Sequence, residues 1–166
     1  MPRRMIELDP VDFVTVGTIG PKGRRVFHLQ AGKSGQIVTV IIEKQQAQAL
    51  SEAIAEMFSD LDSKFPGKST SWGDSMHWDM SLREPIEPLF RVAQMGLGYD
   101  EERDLIVLVA QELVVGEDDA LVSDPQTIRL WGTRQQLRAL SEHAQSVVQQ
   151  GRPDPKSNGY MIYYWT

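Results

Sequence analysis

The chain contains no cysteine. Disulfides, thiolate metal sites and thiol nucleophiles are therefore excluded. It also lacks any apolar run near the roughly 18 residues that a membrane-crossing helix needs. The opening MPRRMIELDP turns acidic after its two arginines instead of supplying the apolar core of a signal peptide. A cytoplasmic protein with no membrane partner is expected. Basic residues are outnumbered, 17 against 23 acidic, giving a net charge of −6 and a pI near 5.1. Binding nucleic acid requires a basic face that neutralises phosphates. Arg24, Arg25 and Lys33 are too few to build one, and no nucleic-acid partner is expected.

Catalytic motifs are incomplete as well. Gly67-Lys68-Ser69 ends like a phosphate-binding loop, but Asp62 stands where that motif opens with glycine, and Gly32-Lys33-Ser34 has Phe27 there. No serine occupies a nucleophile-elbow pattern. His28, His77 and His143 are too scattered for zinc ligation. No catalytic residue, metal or cofactor is assigned, and the balance leans towards a non-enzymatic protein.

What is present is clear periodicity over 166 residues, 41% apolar and 24% charged, the profile of a single soluble domain spanning 1–166. Strands are expected at Met5–Leu8, Phe13–Ile19, Arg25–Ala31 and Gln36–Ile42, each bounded by turn-forming residues. A helix follows from Glu43 to Ser63, with Ala47, Leu50, Ile54, Phe58 and Leu61 along one stripe. After an aperiodic loop over 65–87, strands return at Leu89–Leu97, Leu105–Val114 and Thr127–Trp131. Thr133–Gln150 then makes a second helix, opened by a Thr133/Gln136 capping box and ended by Gly151 and Pro153. Lys44, Gln45, Gln46, Ala49, Leu50, Ser51 and Glu52 match Arg134, Gln135, Gln136, Ala139, Leu140, Ser141 and Glu142. The expected fold is α+β: internally duplicated strand-strand-strand-helix units over about 12–63 and 89–150, a mostly antiparallel sheet with two packed helices, and a tail at 151–166. The strands at Gln36–Ile42 and Leu105–Val114 are apolar on both faces, whereas helices on one side cover only one. Either the sheet curls into a partial barrel, or a second subunit in a homodimer or the tails cover the rest.

The segments FVTVGTIGPKGRRVFHLQA, IIEKQQAQAL, FRVAQMGLGYD, AQE and SNGY resemble those of a bacterial domain-of-unknown-function family, number 3090. They cover most of the chain outside the 65–87 loop. The resemblance implies association with a kinase-like and a histidine-phosphatase-like protein encoded nearby. Family members also carry paired cysteines and a histidine, similar to a zinc ribbon, between the segments matching Gly151–Pro153 and Lys156–Asn158. Here Asp154-Pro155 bridges that interval without a ligand, so the metal is not carried over. The aromatic end, Met161 to Thr166, suits pairing with a sheet edge or a neighbour.

Polar residues that end apolar strands supply the candidate ligand cleft: Gln30 and Glu43 in the first half, Gln111 and Glu112 in the second, with Arg25 or Arg91 as charge partners. The structural alternative is that Glu43 caps its helix, as Thr133 does, and that the others satisfy backbone groups at strand ends. His28 shares a strand face with Gln30 and is expected to be hydrogen-bonded structurally. His143 replaces the alanine of the first helix, Ala53, and is expected to face solvent. Trp72 and Trp78, with Met76 and Met80, stand in a hydrophilic loop. They either fold back over the open sheet face or anchor a partner.

Overall fold

The computed structural model describes residues 5–21, 23–64, 78–114 and 125–150. Seven strands and two helices follow one another as β1 (Met5–Leu8), β2 (Phe13–Ile19), β3 (Val26–Lys33), β4 (Gln36–Ile42), α1 (Lys44–Lys64), β5 (Pro88–Asp100), β6 (Leu105–Glu112), β7 (Thr127–Gly132) and α2 (Arg134–Gln150). The expected α+β fold is therefore present. The strands form one sheet in the order β1-β7-β6-β5-β4-β3-β2. Its ladders are antiparallel except β1 with β7 and β4 with β5. β5 runs further than its sequence pattern predicts, to Asp100, and Asp104 at φ 55 completes the turn into β6.

The sheet is curled but not closed by a ladder between β1 and β2, which stand at opposite ends of the strand order. Residues 9–12 nevertheless touch both ends. The Val11 N–H donates to the Trp131 carbonyl at 2.8 Å, and the Asp12 N–H donates to the Gly32 carbonyl at 2.7 Å.

Alternation sorts the side chains into two faces. Val16, Leu29 and Val40 lie side by side across β2, β3 and β4, and Leu97, Leu108 and Leu130 lie side by side across β5, β6 and β7. Both rows join the core under the helices, with Leu29, Val40 and Leu108 almost wholly buried. The α1 stripe of Ala47, Leu50, Ile54, Phe58 and Leu61, and the α2 stripe of Leu137, Leu140, Ala144, Val147 and Val148, close this core as the periodicity predicts. Each large apolar side chain buried there contributes about 1.5–3 kcal/mol.

The two helices meet through Ser51 and Ser141, ninety residues apart. Each hydroxyl donates to the backbone oxygen of the other serine at 2.8 Å. Small side chains let the helix backbones approach closely, and the reciprocal bonds leave neither buried hydroxyl unsatisfied. The helices run antiparallel, since Arg134 at the start of α2 reaches Asp62 near the end of α1. The helix starts also match. Gln46 accepts from the Glu43 N–H at 2.7 Å and donates to the Val92 carbonyl at 3.2 Å. Gln136 accepts from the Thr133 N–H at 2.9 Å and donates to the Val11 carbonyl at 3.1 Å. The α1 start is thereby tied to β5, and the α2 start to the connection just before β2.

Thr133 completes the expected capping box, its hydroxyl accepting from the Gln136 N–H at 3.1 Å. Glu43 does not cap α1. Its carboxylate turns instead to Arg91 at 2.6 Å, where both side chains are exposed.

The opposite face of the first half carries Phe13 and Thr15 on β2 and His28, Gln30 and Gly32 on β3, with Thr39 on β4. An arm of the chain, residues 78–87, covers it. Thr15 donates to the Met80 carbonyl at 2.6 Å, Leu82 packs so closely on Gly17 that a Cβ there would lie 2.6 Å from its Cγ, and the Arg83 guanidinium sits 3.8 Å over the Phe13 ring. Met80 takes part in this covering through its carbonyl, whereas Trp78 lines the space at the α2–β2 edge. Trp72 and Met76 lie outside the described residues.

Candidate functional site

Three of the polar strand-end residues gather around the bulge in β5 at Val92–Gln94. Glu43 pairs with Arg91, and the amide of Gln94 donates to Gln111 at 2.5 Å. Glu112 accepts from the Gln126 N–H at 2.9 Å, and the neighbouring Leu113 N–H bonds the Arg91 carbonyl at 2.7 Å. Gln30 is elsewhere and fully buried. Its amide donates to Thr39 Oγ1 at 3.0 Å and to the Arg83 carbonyl at 2.9 Å, and it accepts from the Arg83 N–H at 2.7 Å. Every polar valence it points inward is taken by the arm or by β4. Arg25, half-buried at the start of β3, joins neither group; its Nε has no hydrogen-bond partner among the described residues. Of the five residues only Glu43, Gln111 and Glu112 are therefore brought together. No three His, Asp or Glu side chains among the described residues converge as metal ligands would.

An opening lies along the unpaired edge of β5. β4 pairs with β5 only at Pro88 and Arg91, so beyond Val92 that edge faces α1 without a strand partner among the described residues. Between them is a groove of about 320 Å³. Ala49, Ala53, Met95, Gly96 and Leu97 make its walls, with Gln46 and Gln94 supplying the polar groups.

The corresponding place between α2 and the free edge of β2 is nearly full. Its residual space of about 40 Å³ is lined by Gln136 and Ala139, the partners of Gln46 and Ala49, and by Trp78, Asp79, Met80 and Arg83 from the arm. Helix composition adds to the difference. His143 stands opposite Ala53 in the sequence match and lies half-buried on α2 near the Val16 backbone of β2. Ala53 has no side chain with which to reach across to β5. His143 is therefore half-buried against the strand rather than turned to solvent, a correction to the sequence expectation caused by the nearness of an unsatisfied strand edge. The groove escaped sequence reasoning because alanine and glycine carry no chemical signature; the pairing of His143 with Ala53 was its only trace.

A second polar cluster closes the far end of the helix pair. Arg134, 6% exposed, donates through Nε to Asp104 at 2.9 Å and through Nη2 to the Tyr99 hydroxyl at 3.2 Å. The Tyr99 hydroxyl donates to Asp104 at 2.6 Å. Desolvation, then the hydrogen bond to Asp104, pushes the Tyr99 pKa up. This cluster is a buried brace between the β5–β6 turn and α2.

Both described histidines titrate below their ordinary value of 6.5, because burial penalises the imidazolium; backbone bonds to Val26 and Val16 offset this in part. The His28 Nδ1–H donates to the Val26 carbonyl at 3.0 Å, the structural role expected of it. The unfolded chain then takes up protons at a higher pH than the folded one. Stability is expected to be complete above 6.5 and to fall as pH drops from there through the lower folded values. Denaturant midpoints measured between pH 7.5 and about 5 check this. In His28→Leu the slope should flatten.

One protein-family model matches residues 6–158 of the chain, and its description is Protein of unknown function (DUF3090). No curated protein and no solved structure is matched. No helix among the described residues is long and apolar enough to cross a membrane.

Proposed function

The chain belongs to the DUF3090 family, and from that starting point we propose that it is a non-enzymatic binding module. In this reading its two halves are copies of one unit, and the open groove between α1 and β5 accepts an extended, largely apolar peptide segment. The observation that carries this is the contrast between the two strand edges. The α2–β2 edge holds Trp78, Asp79, Met80 and Arg83, whereas the matching α1–β5 edge holds a groove of about 320 Å³. An unpaired strand edge beside an apolar wall suits a peptide that adds main-chain hydrogen bonds and seats alternate side chains. The reciprocal bonds of Ser51 with Ser141 and the matched ties of Gln46 and Gln136 support the two-copy reading. The division of Gln30 and Arg25 from Glu43, Gln111 and Glu112 favours this over a single polar ligand cleft shared by all five.

The occupants assigned are the kinase-like and histidine-phosphatase-like proteins that the family resemblance implies. Co-purification of the three proteins tests the assignment, with Ala53→Trp as the blocking variant because Ala53 is an exposed α1 residue that lines the groove. Retention by the parent chain and at least a tenfold loss in Ala53→Trp are expected. An equal yield from both would refute the groove as the site.

A further inference from the structure

Gln46 and Gln136 place the two halves in register. Their amides donate to the carbonyls of Val92 and Val11, so Val92 holds in the second half the place that Val11 holds in the first. Counting on from these residues sets Gly96 against Thr15 and Gly98 against Gly17, and the ladders then set Val109 against Gln30 and Arg129 against Thr39. All of them lie on the face of the sheet turned away from the helices. On the first half that face is covered: Thr15 and Gln30 take up backbone groups of Met80 and Arg83, and Leu82 packs on Gly17. On the second half Gly96 is exposed, and a Cβ built there meets nothing within 4 Å. Phe90 and Val92 enter the core, so Leu89 and Arg91 alternate onto the same outer face. Leu113 stands across from Arg91, its N–H bonded to the Arg91 carbonyl. Leu89 is 45% and Leu113 42% exposed, which leaves two large apolar side chains in water at one end of the strip.

The matched positions decide what kind of partner fits. An extended segment crossing a sheet face must find partners for its own N–H and C=O groups. Thr15 and Gln30 provide them for the arm, whereas Gly96 and Val109 have no polar side chain, and the neighbouring amides of Gln94 and Gln111 bond each other. A surface whose backbone groups are already paired, such as another sheet face, makes no such demand. Gly96 and Gly98 leave a furrow along β5 beside the ridge of Val107 and Val109 on β6. A furrow beside a ridge is self-complementary across a two-fold axis. Charge permits the same pairing: the chain carries −6 overall, yet on this face Arg91 is paired with Glu43 and Arg129 with Glu7. Two copies therefore meet over a neutral strip.

We propose that the outer face of β5 and β6, centred on Gly96 and Val109 with Leu89 and Leu113 at one end, is the interface of a homodimer in which the sheets of two copies pack face to face. Taking ~3.3 Å per residue and ~4.8 Å between strands, the strip from Leu89 to Gly98 over β5, β6 and β7 measures about 30 by 14 Å, roughly 400 Å² on each copy. An area of this size suits a reversible dimer and not a permanent one. The interface lies on the side of the sheet away from the helices and is independent of what the α1–β5 groove binds.

Sedimentation equilibrium of the full chain, from low to high micromolar concentration, tests this. The mass should rise from 18.7 kDa towards twice that value. Gly96→Arg, at a position with open space and no left-handed φ, and Leu113→Asp, at an exposed position past the end of β6, should each weaken association at least tenfold with the thermal midpoint unchanged. Ala53→Trp, in the groove, should dimerise as the parent does, which separates this interface from the peptide site. A parent chain that stays monomeric at every concentration would overturn the proposal, as would a dimer that neither substitution weakens. If the parent is monomeric and Gly96→Arg instead loses a co-purified protein, the face docks a different protein and the homodimer is refuted.

Discussion

Gln30→Ala should destabilise the chain by about 3 kcal/mol and release the arm at 78–87 from the sheet. Gln30 is completely buried and serves both backbone groups of Arg83 as well as the Thr39 hydroxyl. Alanine removes the partner but leaves the other groups in place. An unmade bond to a buried group costs about 1–3 kcal/mol, more than the net gain of a typical hydrogen bond. The Arg83 N–H and carbonyl should regain water only by lifting away, which also exposes Gly17 where Leu82 packs and the Phe13 ring beneath Arg83. Hydrogen exchange at the Arg83 amide would accelerate beyond the global loss of stability. A global change without this local acceleration would mean that the arm is held mainly by Leu82 and Thr15.

Arg134→Ala is expected to cost about 1–3 kcal/mol, the range for losing the partner of a buried polar group, because the guanidinium is buried while the carboxylates it serves are partly exposed and regain water. The guanidinium is bonded to Asp104 and Tyr99 and approaches Asp62. For a chain of this length that corresponds to a fall of about 5 °C in Tm. Arg134→Lys should recover little, since an ammonium cannot present the planar fork that serves both Asp104 and Tyr99. The ion pair of Glu43 with Arg91 is a useful contrast. Both of its side chains are at least half exposed, and such pairs contribute at most about 1 kcal/mol.

Much of this architecture could be read from the residues because it depends on periodicity. The stripes of α1 and α2, the double-sided apolar strands β4 and β6 and the Thr133 capping box are local patterns, and all are present in the fold. Assignments that required knowing what lies across space were harder. Glu43 was expected either to cap α1 or to line a cleft with Arg25 or Arg91 as its charge partner; its carboxylate goes to Arg91, and Gln46 holds its N–H. Gln30 was grouped with Gln111 by position at strand ends, but strand pairing places them in different ladders with different partners. The arm carries almost no sequence signal, because Leu82 and Arg83 bind through backbone and through contact with Gly17 and Phe13. The groove is similarly silent, made of Ala49, Ala53 and Gly96, residues notable for what they do not fill.

A comparison of the parent chain with Ala53→Trp by residue-resolved backbone spectra bears most directly on the claim that one strand edge is sealed and its counterpart open. The account predicts changes at Gln46–Ala53 and Ala93–Leu97, with Met80–Arg83 and Val14–Val16 undisturbed. Changes spread equally over both edges, or confined to Ala53 and its immediate neighbours with the partners still bound, would contradict it.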